Sequence, residues 1–341
     1  MARLASRGSF LQANYALMYR MVVHQLGGPG SLRREELEAV SADPGQVVID
    51  VSATGCNFFD ILITQGKYQV RPELPFSPGA EVAGTVREVG EGVERFAVGD
   101  RVSALLAYGG FASTVVAPQE RVFSMPSQMT FEEAAALGVV YQTSYVGLVH
   151  RANLRQGETL LVHAAAGGVG LAAVQIGAAL GARVLGTAGT PDKLDLVKQN
   201  GADVALNYRD EDWVERVNEL TDGRGADVIY DPVGGDTFDL STKCVAFEGR
   251  ILIIGFASGR IPSAKMNRVL VKNFSLVGLH WGLYFEKNPQ VLQDAQEAIS
   301  RLYAARKIAP VVSATYPLVD AEVALAALGA RKTTGKIVLI P

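Results

Sequence analysis

An α/β fold, with a doubly wound parallel sheet following a β-rich, barrel-like region, is what this 341-residue sequence predicts. The organising observation is the run Thr159-Leu160-Leu161-Val162-His163-Ala164-Ala165-Ala166-Gly167-Gly168-Val169-Gly170, an apolar strand that breaks on glycines and opens into a helix near Val169. Around it, over residues 142–282, near-continuous apolar strands alternate with helices, the pattern of a parallel sheet covered on both faces. Before it, over residues 21–139, short strands and turn signals follow one another closely, as they do in small barrels.

In order along the chain, residues 46–51 form a strand that leads to a turn at Ala53-Thr54-Gly55. Residues 81–90 alternate with a period near two, and residues 96–102 read as a turn leading into another strand. Thr130, with Glu133 three places on, makes a capping box and so marks a helix start. The helix after the glycine turn stops at Gly181, and residues 183–187 form the next strand. Residues 203–207, 227–230, 250–255 and 274–278 read as further strands, with helices over 211–220 and from Thr237. Asn288-Pro289 is a helix start, cap then proline at the first turn, and that helix runs to about Ala305. Residues 336–340 close the chain as a strand.

Strand, glycine turn, helix and strand together form the unit that binds a dinucleotide. Small residues let the backbone approach a pyrophosphate, and the helix start offers it unpaired N–H groups and a partial positive charge. Against the pattern G-x-G-x-x-G, Ala165 holds the first place and Gly167 and Gly170 the others. Ala166, Gly167, Gly168, Val169 and Gly170 are therefore the candidate phosphate contacts. A site for NADH carries a carboxylate at the end of the second strand to take the ribose hydroxyls. This strand ends Gly186-Thr187-Ala188-Gly189-Thr190 without one, and Lys193 follows as a point charge for a 2′-phosphate. NADPH is the expected cofactor.

The 48% hydrophobic content, 20% charge and net charge of −3 are those of an ordinary globular protein. No basic stripe suggests nucleic acid, and no apolar run approaches the roughly 20 residues that span a bilayer. Cys56 and Cys244 make neither a disulfide framework nor a cysteine zinc site, which points to a reducing, cytoplasmic compartment. Residues 1–20 carry Arg3, Arg7 and Arg20 with no acidic residue. They read either as a disordered fringe upstream of a start at Met18 or Met21, or as a transit peptide to the mitochondrial matrix. Among His24, His150, His163 and His280 no two share a ligand-like spacing, and His163 reads as a satisfied core histidine.

From Met21 onward the chain resembles the zinc-independent medium-chain dehydrogenases/reductases, in the NADPH:quinone oxidoreductase (zeta-crystallin-like) branch. Its marks are Asn57-Phe58-Phe59-Asp60, Gln65-Gly66-Lys67-Tyr68, Pro78-Gly79-Ala80-Glu81-Val82-Ala83-Gly84, Gly99-Asp100-Arg101-Val102, residues 164–170, Asn207-Tyr208-Arg209 and residues 331–341. The resemblance implies a GroES-like β-barrel catalytic domain, 21–141 with 284–341, into which a Rossmann domain, 142–283, is inserted. It implies homodimers joined through Rossmann sheet edges, here residues 274–279, and a small-molecule substrate that is a quinone or another α,β-unsaturated carbonyl.

The resemblance also assigns residues. Lys193, Tyr208 and Arg331 would surround the 2′-phosphate beyond Gly189 and Thr190, and Thr143 would line the cofactor cleft. Gly255 and Phe256 would approach the nicotinamide side. Asn57 would hydrogen-bond cofactor or substrate, or else only cap its own turn. Tyr68 would donate to the acceptor oxygen, as a phenol can at neutral pH, or else only pack the domain edge. The zeta-crystallin type has a second tyrosine where this chain has Leu62, which leaves the pocket more apolar and the substrate open. His280 and Trp281 reach the cleft mouth or form an interior pair.

Zinc-dependent relatives place a cysteine where this chain has Asn57 and a histidine where it has Ala80. Catalytic zinc takes three protein ligands in tetrahedral geometry, so no metal is expected. Hydride transfer to a quinone or enone, which delocalises the resulting charge, needs less help at oxygen than alcohol chemistry does. Three alternatives stand beside this: a reductase of enoyl or acryloyl thioesters or enones, a NADPH-binding protein without turnover, and a short-chain dehydrogenase using Tyr303-x-x-x-Lys307. The last lacks the Thr-Gly opening and an upstream serine and would leave the first 140 residues idle.

Overall fold

A computed structural model describes residues 18–210 and 212–341. The expectations for residues 1–17, and for Glu211 as a helix start, lie outside the described residues. The chain opens with β1 (Tyr19–Val23), paired antiparallel with β2 (Leu32–Glu36), so Tyr19 and Arg20 are strand residues. β3 (Gln46–Gly55) does not turn at Ala53-Thr54-Gly55. Those residues are buried and stay paired, Thr54 with Val82 and Gly55 with Val338. A short helix that the sequence pattern did not reveal, α1 (Phe58–Thr64), follows directly and buries Ile61 and Ile63. β4 (Glu81–Val89), β5 (Arg101–Leu105), β6 (Thr114–Pro118) and β7 (Val122–Ser124) lead to α2 (Phe131–Tyr145). Thr130 and Glu133 form the expected capping box at its start.

The next segment runs β8 (Thr159–Val162), α3 (Gly168–Ala179), β9 (Arg183–Ala188), α4 (Pro191–Gln199), β10 (Val204–Asn207), α5 (Trp213–Leu220), β11 (Ala226–Asp231), α6 (Gly235–Cys244), β12 (Val245–Ile253), α7 (Met266–Lys272) and β13 (Ser275–Gly278). Two helices start away from their sequence signals. α5 begins after Asp212, whose carboxylate caps Val214 and Glu215, and α6 begins two residues before Thr237. The chain closes with α8 (Tyr284–Lys287), α9 (Pro289–Ala304), β14 (Val312–Pro317), α10 (Ala321–Gly329) and β15 (Lys336–Ile340).

Two large sheets result. The parallel one has six strands in the order β10-β9-β8-β11-β12-β13. Strand order reverses between β8 and β11, which opens a crevice at their carboxyl ends. The other has seven strands, β14-β15-β3-β4-β5-β7 with β6 on β3, so both ends of the chain build it. Between them lies α2, apolar on all sides and buried from Ala134 to Gln142, as a helix must be when packed all round. It runs through position 141, the expected boundary between the two domains.

Leu160, Val162, Val174 and Ile176 share one core with Ala135, Val140 and Tyr141 of α2. Full burial of each large aliphatic side chain contributes about 1.5–3 kcal/mol, so the shared core holds the two sheets as well as the helix. His163 is buried with its ring nitrogens at Thr187 (3.1 Å) and Ser241 (2.9 Å). Burial pushes its pKa down to about 3, so it is a neutral core histidine as the sequence suggested. Tyr303 donates to Glu133 Oε2 (3.0 Å), a tie between α9 and α2.

Candidate active site

The carboxyl end of β8 builds the first wall. Ala164 adopts the left-handed conformation (φ 48°) and its carbonyl accepts from Gly167 N (2.9 Å), which folds the turn tightly. A Cβ at Gly170 would stand 2.3 Å from Ala164 O and 2.8 Å from Ala165 Cα, so only glycine admits this approach of helix to strand. The first intrahelical bond runs from Leu171 N to Gly167 O (2.8 Å). The N–H groups of Gly168, Val169 and Gly170 precede it, and no side chain caps them. They form a candidate anion site. Ser144 donates to Val169 O (3.1 Å), which ties α2 to this turn and puts the half-buried Thr143 one residue from that contact.

The end of β9 builds the second. Gly189 lies against the Tyr208 ring, whose hydroxyl would be 2.6 Å from an added Cβ. Arg209 Nε would be 3.1 Å from the same point, a residue the sequence reading quoted but did not assign. Lys193 Nζ donates to Arg331 O (2.9 Å), and Arg331 Nη2 donates to Ala257 O (2.7 Å), next to Phe256. Tyr208 and Arg209 thus lie against Gly189, and Lys193, Arg331 and Ala257 are linked by hydrogen bonds. Among the described residues no carboxylate forms an ion pair with Lys193, Arg209 or Arg331. The Thr190 hydroxyl is buried and makes no hydrogen bond of good geometry, but it and then Lys193 face the exposed Asp192 carboxylate and hold its pKa below the usual range. Gly255 and Phe256 follow β12, and the Phe256 ring lies on Gly234 at the end of β11.

The third wall belongs to the seven-stranded sheet. Asn57 sits between β3 and α1, nearly buried, with Nδ2 donating to Glu81 Oε1 (2.8 Å) and Oδ1 accepting from Lys336 Nζ (2.7 Å). Asp60, fully buried, accepts from Asn57 N (2.7 Å) and Gly79 N (3.1 Å). Burial raises its pKa to about 7, against the pull of those N–H groups and of Lys336. Ala80, beside Glu81, is buried and brings no donor. Gly55 has no room for a side chain: its Cβ would stand 2.2 Å from Ala135 O and 2.5 Å from Glu81 Oε1.

Tyr68 is partly buried and stacked on Phe59, with ring centroids 5.3 Å apart. Burial, then the Asp60 charge, raises its pKa, so the phenol keeps its proton at neutral pH. Its hydroxyl makes no hydrogen bond among the described residues. Phe59 joins it to a cluster of Ala80, Leu105, Phe123 and Val139 with Trp281 and Phe285. Trp281 meets Phe285 edge-on at 5.4 Å, and its indole N–H donates to Gln142 Oε1 (3.3 Å). His280 is exposed, so it and Trp281 are not an interior pair. Leu62 is half-buried on α1. The aromatics Phe59, Tyr68, Phe123, Trp281 and Phe285 come from three distant segments, which is why no local pattern revealed their cluster.

Residues 168–297 match the family described as zinc-binding dehydrogenase, and residues 43–127 match the alcohol dehydrogenase GroES-like domain. The chain is 42% identical over 325 residues to quinone oxidoreductase-like protein 2 homolog of Nematostella vectensis, covering 94% of this chain and 88% of that one. The solved structure of Escherichia coli quinone oxidoreductase complexed with NADPH is 34% identical with a TM-score of 0.88, over 95% of this chain and 100% of that one. The CurK enoyl reductase structure is 28% identical with a TM-score of 0.87, over 95% and 99% of the two chains.

Proposed function

The chain belongs to the quinone oxidoreductase family of the medium-chain dehydrogenases/reductases, and we propose that it reduces a quinone or another α,β-unsaturated carbonyl with NADPH and without zinc. The observation that carries this is the placing of Tyr208 and Arg209 against Gly189, with Lys193 of the following helix bonded to Arg331 O. That corner combines cations that form no ion pair among the described residues with a buried Thr190 hydroxyl whose nearest acceptor is the solvent-exposed Asp192 carboxylate. A 2′-phosphate would give these cations an anionic partner.

NADPH supplies a hydride when bound. The N–H groups of Gly168, Val169 and Gly170 hold the pyrophosphate, with Ala166 and Gly167 giving it a close backbone. Thr143, Gly255 and Phe256 flank the nicotinamide side. Phe59, Trp281 and Phe285 present flat apolar surface to a planar acceptor and keep water out. The Tyr68 phenol donates to the acceptor oxygen as negative charge develops there, and Asn57 offers an amide N–H. Zinc does not fit the donor set. Ala80 has no ligand atom, Asn57 has an amide already engaged, and Glu81 is bonded to the Lys336 ammonium. We propose a division into 21–141 with 284–341 and 142–283, with Tyr19 and Arg20 of β1 joining the first.

A second reading, an enoyl-thioester or enone reductase, is favoured by the likeness to the enoyl reductase and by Leu62 in place of a tyrosine. For assembly, we propose that a second copy docks along the edge strand β13, beside which Ile261, Met266, Leu270 and Val271 are exposed. Sedimentation of wild type against Leu270→Asp/Val271→Asp tests it, a monomer being expected only for the variant. No helix among the described residues is long and apolar enough to cross a membrane. Cytoplasmic placement, or the mitochondrial matrix if a transit peptide ends before β1, goes with this reading.

The test follows the absorbance of reduced nicotinamide under excess chelator, with NADPH or NADH, against an ortho-quinone, a simple enone and an enoyl thioester. Chelator-insensitive oxidation of NADPH, with NADH poor, is expected, and the fastest acceptor names the substrate class. Tight NADPH binding without multiple turnover on any acceptor would point instead to a binding protein.

A further inference from the structure

Glu81 and Lys336 form a buried ion pair, 1% and 4% exposed, with Lys336 Nζ 2.6 Å from Glu81 Oε1. The pair is fully satisfied. Nζ directs its other two N–H groups to Cys56 O (2.6 Å) and Asn57 Oδ1 (2.7 Å). Glu81 Oε1 also accepts from Asn57 Nδ2 (2.8 Å), and Oε2 accepts from Val139 N of α2 (2.7 Å). The Lys336 stem reaches the other side of the cleft as well. Its Cδ lies 3.0 Å from where a Cβ on Gly168 would stand, and the preceding Gly335 N donates to Ala166 O (2.9 Å).

A buried ion pair is a poor source of stability compared with an apolar pair of the same volume, because both charges lose their water. Its effect on Asn57 is another matter. A side-chain amide has two orientations that differ by exchange of oxygen and nitrogen. Here an ammonium faces the oxygen and a carboxylate faces the nitrogen, so the flipped amide would set NH₂ against NH₃⁺ and C=O against COO⁻. One N–H of Asn57 is held by Glu81, and the second has no acceptor among the described residues.

We propose that Lys336 is a positioning residue, which with Glu81 locks the Asn57 amide so that its second N–H is the one presented to cofactor or substrate. This rests on the functional reading that Asn57 meets one of them. The locking role separates from a merely structural one in the charge-neutral pair Glu81→Gln/Lys336→Met. With both charges gone, the amide introduced at position 81 can give its carbonyl to Val139 N and its NH₂ to a flipped Asn57. Of the groups that Lys336 and Glu81 served, Val139 N and Asn57 are then satisfied again and only Cys56 O loses its donor, while the Asn57 amide faces the wrong way.

The experiment measures kcat with a quinone, Kd for NADPH by fluorescence titration, and thermal unfolding. It compares wild type, Lys336→Met, Asn57→Ala, Asn57→Ala/Lys336→Met and the neutral pair. Lys336→Met and Asn57→Ala should each lower kcat about tenfold, with Kd for NADPH changed less than about threefold. Combined, they should cost no more than either alone, because one acts through the other. The neutral pair should unfold near the wild-type temperature yet keep the full loss of kcat. Wild-type kcat in the neutral pair, or losses that multiply in the Asn57→Ala/Lys336→Met variant, would overturn the positioning role. If Lys336→Met does not fold, the neutral pair carries the comparison, in the Asn57 and the Asn57→Ala backgrounds. Wild type that binds no NADPH or turns over no acceptor would overturn the functional reading, and this inference with it.

Discussion

Two groups of cations lie along the cleft, and they are built in opposite ways. Lys336 is buried, and all its donors are used by Glu81, Asn57 and Cys56. Arg331 and Arg209 are exposed and Lys193 is half-buried. Lys193 and Arg331 are held by the carbonyls of Arg331 and Ala257, and no carboxylate pairs with any of the three among the described residues. A cation whose charge is cancelled inside the protein can shape its neighbours but has nothing left for a ligand. Cations aimed by backbone carbonyls keep their charge available and are oriented before the ligand arrives. The difference separates a group that sets geometry from groups that set affinity.

The sharpest way to break this contrast is to remove one cation from each group. Lys336→Met leaves the Glu81 carboxylate buried and uncompensated, and should lower unfolding free energy by about 3–5 kcal/mol. Lys193→Ala and Arg331→Ala should change it by no more than about 0.5 kcal/mol. Urea denaturation of the three variants measures both.

The buried side has a pH signature of its own. Asp60 has a folded-state pKa of about 7, above the ordinary value of 3.8 for its carboxyl. Its contribution to stability is therefore whole below about pH 4 and is lost as pH rises through about 7. Between pH 5 and 8 this group should lower wild-type stability by on the order of 2 kcal/mol. In Asp60→Asn the same interval should be flatter, although an amide NH₂ facing Asn57 N or Gly79 N lowers stability throughout. The charges of Lys336 and Glu81 face this group, so the comparison belongs in otherwise wild-type protein.

At the exposed group the expected effects fall on binding. Lys193→Ala and Arg331→Ala should each weaken NADPH about tenfold and leave NADH unchanged, read by fluorescence titration. Tyr68→Phe should leave both affinities unchanged and lower kcat about tenfold, because the phenol supports charge that appears only as the acceptor is reduced. A loss of NADPH affinity in Tyr68→Phe would place the phenol on the cofactor instead.

Much of the exposed group was legible in the sequence. The glycine turn, the absence of a carboxylate at the end of β9, and Lys193, Tyr208 and Arg331 could be assigned by pattern or resemblance, because each stands in a recognisable local context. Arg209 sat in the same motif and needed only the fold to bring it against Gly189. The alternation of strands and helices conveyed the parallel sheet, since buried strands carry their pattern locally. α1 was missed because seven residues directly after a long strand give little helical period. Asn57 was assigned without its partners. Lys336 opens the apolar run Lys336–Ile340, where a lysine reads as the solvent end of a strand, and its partner Glu81 lies 255 residues away. The one hint was a glutamate inside an otherwise small and apolar stretch, Gly79-Ala80-Glu81-Val82-Ala83-Gly84, which needs a cation wherever it is buried.

The most direct test of the division between geometry and affinity is a pair of titrations, NADPH and NADH, on wild type, Lys193→Ala/Arg331→Ala and the neutral pair Glu81→Gln/Lys336→Met. Wild type should prefer NADPH by at least about tenfold, the first variant should lose that preference, and the neutral pair should keep it while its kcat falls. A preference that survives the loss of Lys193 and Arg331, or disappears with Lys336, would contradict the division.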